Sequence, residues 1–312
     1  MGPGRCLSNL RRLERAQRRG RKQIGVIVRE NDYLEEIERW RAARLKRLTG
    51  PEGWLTLVGL CWLHEGVNSV GSDPSNDVRL PEGRAPAHVG TIQVGGMKAT
   101  AEFDPNAGVA HEGQPVSTLE LDDDAGNRPS ILRMGTISFF VIRRENELAI
   151  RVRDSESQRR HEFSGIEHYP VDPRWRIETR FHPYDSARRA RVKTVLDTQE
   201  TYVVPGVVEF EIGTKTYTLD VFLEDPDDDL FVIFGDLTNK SETFGGGRYI
   251  YTPQAGQDGI VLLDFNTAYN PPCVFTPYAT CPLPPPRNRL PLRIEAGERR
   301  YESSASHTAP PS

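Results

Sequence analysis

Cysteine is scarce in this chain, with four in 312 residues, and none stands in the Cys-x-x-Cys spacing shared by thiol redox enzymes and structural zinc sites. Cys273 and Cys281 are the nearest pair, with no histidine beside them. Neither a metal centre nor a catalytic thiol is expected from that spacing, and a reducing compartment would disfavour a disulfide. Long apolar runs are missing as well. The longest, Trp54 to Leu63, falls well short of the roughly 20 residues that cross a bilayer. Ile24 to Val28, which follows the arginine-rich start, is too short for the apolar region of a secretory signal, so the expectation is a cytoplasmic protein without a membrane partner. Nor is charge of one sign in large excess. Lys and Arg number 40 against 44 Asp and Glu, a formal net charge of −4, so the molecule as a whole is no polyanion binder.

Motifs for common cofactors are absent too. Gly245-Gly246-Gly247-Arg248 lacks the Lys-Ser/Thr and the following helix of a phosphate loop. The acidic run from Glu224 to Asp229 lacks the glycine and distal glutamate of a calcium loop and reads as a solvated hairpin turn. The cofactor therefore stays unassigned. Helix is rare: Asn31-Asp32 can cap one amphipathic helix with Tyr33, Leu34, Ile37, Trp40, Leu45 and Leu48 on its stripe, stopped by Gly50-Pro51. No second helix of normal length is legible before Leu290.

What is present is β-structure and proline. Short apolar runs separated by Gly, Pro and Asn-Asp turns recur at Ile137 to Ile142, Leu148 to Val152, Val207 to Ile212, Tyr217 to Leu223, Leu230 to Phe234 and Ile260 to Leu263. Such frequent strands predict a mainly β protein of sandwiches or barrels, with a β-rich second unit that carries a Pro-rich irregular segment. The organisation reads as a basic, disordered arm over 1–30, the helix over 31–50, a β-sandwich over 51–154, a C-terminal β domain over 155–298, and a disordered tail over 299–312. In the arm Arg5, Arg11, Arg12, Arg15, Arg18, Arg19, Arg21 and Lys22 face Glu14 alone, and nucleic acid would be touched only weakly, through this arm.

Within residues 53–154, Gly71, Asp77, Val78, Leu80 and His88 fall where the forkhead-associated (FHA) domain carries its signature, and Glu112-Gly113 and Leu132 to Gly135 match later turns. The stretch resembles that family, a β-sandwich that reads phosphothreonine, and the resemblance implies the sandwich. It does not carry the phosphate site. The family's gripping arginine corresponds to Ser72, followed by Asp73, and its serine to Ala85, so a like charge stands where a guanidinium is needed. Arg79 and Arg84 read as solvated, and His88 as a structural buttress.

The C-terminal half contains "DFNTAYNPPC", Asp264 to Cys273, together with "GWLTLVGLCWLHEG" and "AIRVRDSESQRRHEFSGIEHYPVDPRWRI". These stretches resemble the prokaryotic family catalogued as domain of unknown function 1684, from about Trp40 to Glu298, a resemblance that implies no chemistry. The residues themselves suggest a site. Alternation in "IVLLDFN" puts Val261, Leu263 and Phe265 on one face and Leu262, Asp264 and Asn266 on the other. On the preceding hairpin Phe234 and Asp236 share a face, as do Arg248 and Ile250, so Arg248 could reach Asp264 or Asp236. The functional reading is a polar pocket at the mouth of the C-terminal β domain, roofed by the Pro-rich segment. Arg248 and Asp264 are its catalytic candidates, Arg248 facing a cavity and binding an anionic group. Asn266, Tyr269, Asn270, Asp236 and Tyr278 are its ligand-binding candidates. The bland reading is that Asp264, Asn266 and Asn270 cap backbone N–H groups of a loop without ladder partners. Two functions stay open: a small-molecule enzyme or binder of a small polar or anionic ligand, and a non-catalytic adaptor on an FHA-like scaffold that does not read phosphothreonine. Whether the chain is an enzyme is left open by its sequence.

Overall fold

The computed structural model describes residues 30–126, 128–225 and 227–302. The basic arm up to residue 29 and the last ten residues of the tail, with the expectations placed on them, lie outside the described residues. The amphipathic helix is there as α1 (Glu30–Thr49). Its stripe differs from the expected one in a telling way. Tyr33, Ile37 and Leu48 are buried, whereas Leu34 and Leu45 are exposed and Arg44 is buried among the apolar residues. Positions 33, 37, 44 and 48 share one face of a 3.6-residue helix, so Arg44 sits on the buried side by geometry. The only other α-helix among the described residues is a single turn, α2 (Gln158–His161). No helix among them is long and apolar enough to cross a membrane.

The described chain divides into two units, one of Lys46–Phe163 with Thr276–Ala279, the other of the helix up to Leu45, Ser164–Phe275 and the chain from Thr280 onward. The N-terminal unit holds β1 (Leu57–Trp62), β2 (Gly66–Gly71), β3 (Val78–Arg79), β4 (Gly90–Gly95), β5 (Lys98–Phe103), β6 (Ala110–His111), β7 (Gln114–Pro115), β8 (Thr118–Leu121), β9 (Leu132–Met134), β10 (Ile137–Arg144) and β11 (Glu147–Asp154). They form two sheets, ordered β1-β11-β10-β9-β6-β7 and β3-β2-β4-β5-β8. Pairing is antiparallel except between β2 and β3. Along β4 and β5 burial alternates with period two, as a half-buried strand requires, and Ile92, Val94, Ala99 and Ala101 meet Phe139, Val141, Ile150 and Val152 of the other sheet in one core. Ser72, at the position of the gripping arginine in the FHA resemblance, donates through Oγ to the Ala85 carbonyl at 2.8 Å. His88, expected as a buttress, is instead exposed, with Nδ1 3.4 Å from Asn76 Oδ1.

The C-terminal unit holds β12 (Arg176–Lys193), β13 (Gln199–Ile212), β14 (Lys215–Leu223), β15 (Leu230–Phe234), β16 (Arg248–Thr252) and β17 (Ile260–Asp264), in the sheet order β16-β15-β14-β13-β12-β17. The sheet curls until its ends meet. Thr252 Oγ1 on β16 donates to the Leu262 carbonyl on β17 at 2.7 Å, and Tyr249 exchanges two backbone hydrogen bonds of 3.0 Å with Tyr269, just beyond β17. Closure removes the open edges that a lone sheet would present. Val208, Phe210, Leu219, Val221, Val232, Phe234, Ile250, Val261 and Leu263 line the inner face at alternate positions.

The Pro-rich segment is not a roof over this sheet. Leu290, Ile294 and Ala296 pack into the inner core beside Phe265. Prolines carry no N–H, so side chains complete the backbone bonding here. Asn288 accepts from the Asp220 amide at 2.8 Å and donates to the carbonyls of Asp220 and Ile233 at 2.9 Å, standing in for a strand rung between β14 and β15. Gly247, before β16, is irreplaceable on two counts: φ is +88°, and a Cβ would lie 2.4 Å from Pro284 Cγ.

Candidate functional site

The site candidates read from the sequence separate into distinct networks. Asp264 ends β17 and caps the turn that follows, accepting from the Asn266 amide at 2.9 Å. The Tyr33 phenol on α1 lies 2.9 and 3.0 Å from its two carboxylate oxygens, and Asn266 Nδ2 donates to the phenol oxygen at 2.9 Å. Asn266 also holds both backbone groups of Asp172, at 3.1 and 2.9 Å. Burial pushes the Asp264 carboxyl up from its ordinary range and, with Asp264 adjacent, pushes the Tyr33 phenol up strongly. Every oxygen in this cluster is bonded within the protein, and its role is to latch the helix to β17.

Arg248 does not reach Asp264, and the expectation that it faces a cavity is corrected. Its side chain is fully buried on β16, donating through Nη2 to Asp236 Oδ2 at 2.7 Å and to the Ile294 carbonyl at 2.9 Å, and through Nη1 to the Ala296 carbonyl. Asp236 in turn accepts from the Thr238 amide at 2.7 Å. β16 meets β17 where the sheet closes, but the Arg248 side chain, at the start of β16, is engaged by Asp236 and the strap at 294–296 and not by Asp264. Tyr278 belongs with the N-terminal unit, where the Arg159 guanidinium lies 5.7 Å from its ring.

The remaining candidates, Tyr269 and Asn270, belong to a network that the sequence reading missed. Its centre is Glu298, wholly buried on a short extended stretch. The Glu298 amide donates to the Ala268 carbonyl at 2.8 Å, and His168 pairs with Glu298 in an antiparallel bridge on the other side. Bridge partners project their side chains to the same face. The entry into this stretch requires glycine, since Gly297 has φ +77° and a Cβ would stand 2.4 Å from the Ala268 carbonyl oxygen. The Glu298 carboxylate accepts from Arg44 Nε at 3.0 Å and from the Asn270 amide at 2.7 Å. Arg44 also donates to the Asn270 carbonyl at 2.9 Å, with its guanidinium 4.7 Å from the Tyr269 ring centre. The Trp40 and Tyr269 rings are 6.5 Å apart beside it. One signal for this network was visible in advance, the charge of Arg44 on an apolar helical stripe.

Buried polar atoms without a partner in the protein collect around this centre: Arg41 Nε, His168 Nε2, Asn270 Oδ1 and Arg248 Nε. Buried polar groups are almost always paired, so such a concentration marks a place built to meet something polar. Arg248 Nε has a local explanation, because its guanidinium lies 5.4 Å from the Phe234 ring centre. The other three have none. Arg41 is held by Glu38 at 2.9 Å and by the Tyr169 carbonyl at 3.1 Å, which leaves Nε as its spare donor. Asn270 Nδ2 is spent on the Arg299 carbonyl at 2.8 Å, which leaves Oδ1 as a spare acceptor. Burial lowers the His168 imidazole from its ordinary value and Arg41 lowers it further, while Glu298, a hydrogen bond to the Ile166 backbone and Glu38 oppose them. Nearby, Tyr169 donates to Glu242 at 2.8 Å, and burial with that carboxylate pushes its phenol up to about 12.

The His168 shift has a sign that can be tested. A base whose folded value lies below its unfolded value of 6.5 contributes stability above that pH, and the contribution is lost as pH falls through the folded value. The native protein is therefore expected to lose more stability between pH 7 and about 5 than a His168→Gln variant does, by thermal denaturation across that range. Parallel curves for the two proteins would show that His168 is not held neutral.

Among the described residues no group of three or more His, Cys, Asp or Glu is placed to hold a metal ion. In comparisons with known proteins, the profile of the family described as protein of unknown function (DUF1684) matches residues 161–299, beginning well after the Trp40 start read from the sequence. An uncharacterized protein of Haloarcula marismortui, solved by NMR in solution, is 30% identical, the match covering 47% of this chain and 81% of that one at a TM-score of 0.39. An FHA domain studied for phosphothreonine-dependent interactions is 23% identical over 31% of this chain and 96% of its own, at a TM-score of 0.22. The FHA domain of FhaA is 23% identical over 30% of this chain and 97% of its own, at a TM-score of 0.22. No curated protein matches.

Proposed function

Residues 161–299 match the DUF1684 family of proteins of unknown function, and we propose that the chain binds a small polar molecule at the Glu298 centre of its C-terminal unit. The observation that carries this reading is the trio of buried, unpartnered atoms: Arg41 Nε, His168 Nε2 and Asn270 Oδ1. A ligand suited to them bears an anionic or carbonyl acceptor for Arg41 and hydroxyl or amine donors for His168 Nε2 and Asn270 Oδ1, the chemistry of a small hydroxy- or amino-carboxylate. Glu298 and Arg44 are the rigid support, since both carboxylate oxygens are already engaged. The reading is binding and not acid–base catalysis, because Arg248 and Asp264, the pair expected to do that work, stand in separate networks, Arg248 on Asp236 and Asp264 on Tyr33 and Asn266.

The test is a thermal-shift panel of hydroxy- and amino-carboxylates on the full chain, with mass spectrometry of small molecules released on denaturation. At least one compound is expected to raise the melting temperature at millimolar concentration, with the response lost in Arg41→Leu. No response across the panel, with ordered water completing all three atoms in a high-resolution crystal structure, would overturn the reading. The adaptor alternative draws on Trp62 and Val67, 38% and 58% exposed in the N-terminal unit. It gains if the panel is silent and substitution of those two residues by serine abolishes a protein interaction.

A further inference from the structure

The Pro-rich segment holds two thiols whose arrangement has no part in the ligand centre. Cys273 lies in the turn Pro272–Val274 and is half-buried; Cys281 is wholly buried. The Cys273 amide donates to Cys281 Sγ at 3.2 Å, which sets the buried sulfur against the residue that carries the other thiol. The Cys281 end is fastened. Val195 N–H donates to the Cys281 carbonyl at 2.9 Å, and the Tyr249 hydroxyl donates to the neighbouring Pro282 carbonyl at 2.6 Å. Pro271, Pro272, Pro277 and Pro282 limit the backbone between and beside the cysteines, so the sulfurs are held together and not brought together by chance. They also bracket Thr276–Ala279, the stretch grouped with the N-terminal unit.

We propose that Cys273 and Cys281 are a reversible oxidation site, in which a hydroperoxide oxidises Cys273 and Cys281 resolves the product to a disulfide. The exposure of the two residues sets their roles. Only Cys273 meets solvent, while burial and the neighbouring thiol push Cys281 well up, keeping it protonated until its partner becomes electrophilic. In the first step the Cys273 thiolate attacks the peroxide oxygen; the O–O bond breaks, an S–O bond forms, and the leaving hydroxide or alkoxide takes a proton. In the second step Cys281 sulfur attacks Cys273 sulfur, the S–O bond breaks, and water leaves with the Cys281 proton. Two thiols lose two electrons in all, and one hydroperoxide is reduced to water and its alcohol, or to two waters.

The test uses the full chain, reduced and desalted, treated with a small molar excess of hydrogen peroxide, then denatured in N-ethylmaleimide for intact mass and peptide mapping. Two of the four cysteines are expected to stop alkylating, a Cys273–Cys281 cross-linked peptide to appear, and dithiothreitol to restore both. In Cys273→Ser, whose side chain is partly solvent-facing and whose fold circular dichroism checks, Cys281 is expected to stay alkylatable and no cross-link to form. A disulfide that includes Cys6 or Cys61 would overturn the proposal. So would oxidation of Cys273 to sulfinic acid with Cys281 still free, or no loss of alkylation at all.

Discussion

Replacing Arg248 by methionine is expected to lower the melting temperature of the C-terminal unit by on the order of ten degrees. The side chain is fully buried against Asp236, itself fully buried at 2.7 Å. Its removal strands a carboxylate and uncovers the carbonyls of Ile294 and Ala296 at once. Breaking one partner of such a pair costs about 3–5 kcal/mol, which in a domain of this size corresponds to roughly 6–20 degrees. The partner test is decisive. Arg248→Met with Asp236→Leu should recover part of the loss, because no charge is then left alone. Because two units can melt separately, calorimetry should show the effect in one transition only. A single-mutant shift of no more than a degree or two would mean that Arg248 is solvated after all, as a pocket residue would be.

Glu298→Ala is expected to be comparably severe, and to act on the helix. Arg44, on the buried stripe of α1, loses its carboxylate, and the Asn270 amide loses its acceptor. The stranded guanidinium keeps only the carbonyl of Asn270 and the faces of Tyr269 and Phe275, 4.7 and 5.6 Å away. A loss of roughly 3–5 kcal/mol is again expected, with Glu298→Gln milder because an amide oxygen still accepts. Hydrogen exchange separates this from the first prediction. Amides of α1 up to Leu45 should lose protection in Glu298→Ala, whereas in Arg248→Met the largest change should fall on residues 294–298. Unchanged protection of α1 would show that Tyr33 and Ile37 dock the helix without help from the ion pair.

Much was legible from the chain alone where the physics is local. The helix ends where Gly50-Pro51 predicts, because a stop acts within a few residues, while Asn31 and Asp32, expected as its cap, lie inside it. The strand at Ile260–Asp264 and the alternation along it follow from period-two burial, whereas the wholly buried β15 reads as a continuous apolar run. The capping of the following turn by Asp264 was equally readable, since a short carboxylate reaches the amide two residues on. So was the mainly β class, with its sandwich and its Pro-rich second unit.

Partners far apart in the chain were decided only by the tertiary structure. Arg248 shared a plausible face with Asp264, yet curling of the sheet set it against Asp236 and the 294–296 strap. Tyr33 bonds Asp264 across 231 residues, and Arg44 bonds Glu298 across 254. No periodicity spans such separations: local spacing sets which way a side chain points, while the meeting of two faces depends on how far each strand twists and where the sheet closes. The aromatic and proline content of 264–290 showed an ordered segment, but its place in the interior came from closure. Beyond the pairing of Tyr249 with Tyr269 the chain runs through the core, where Asn288 and Arg248 supply donors that the prolines lack.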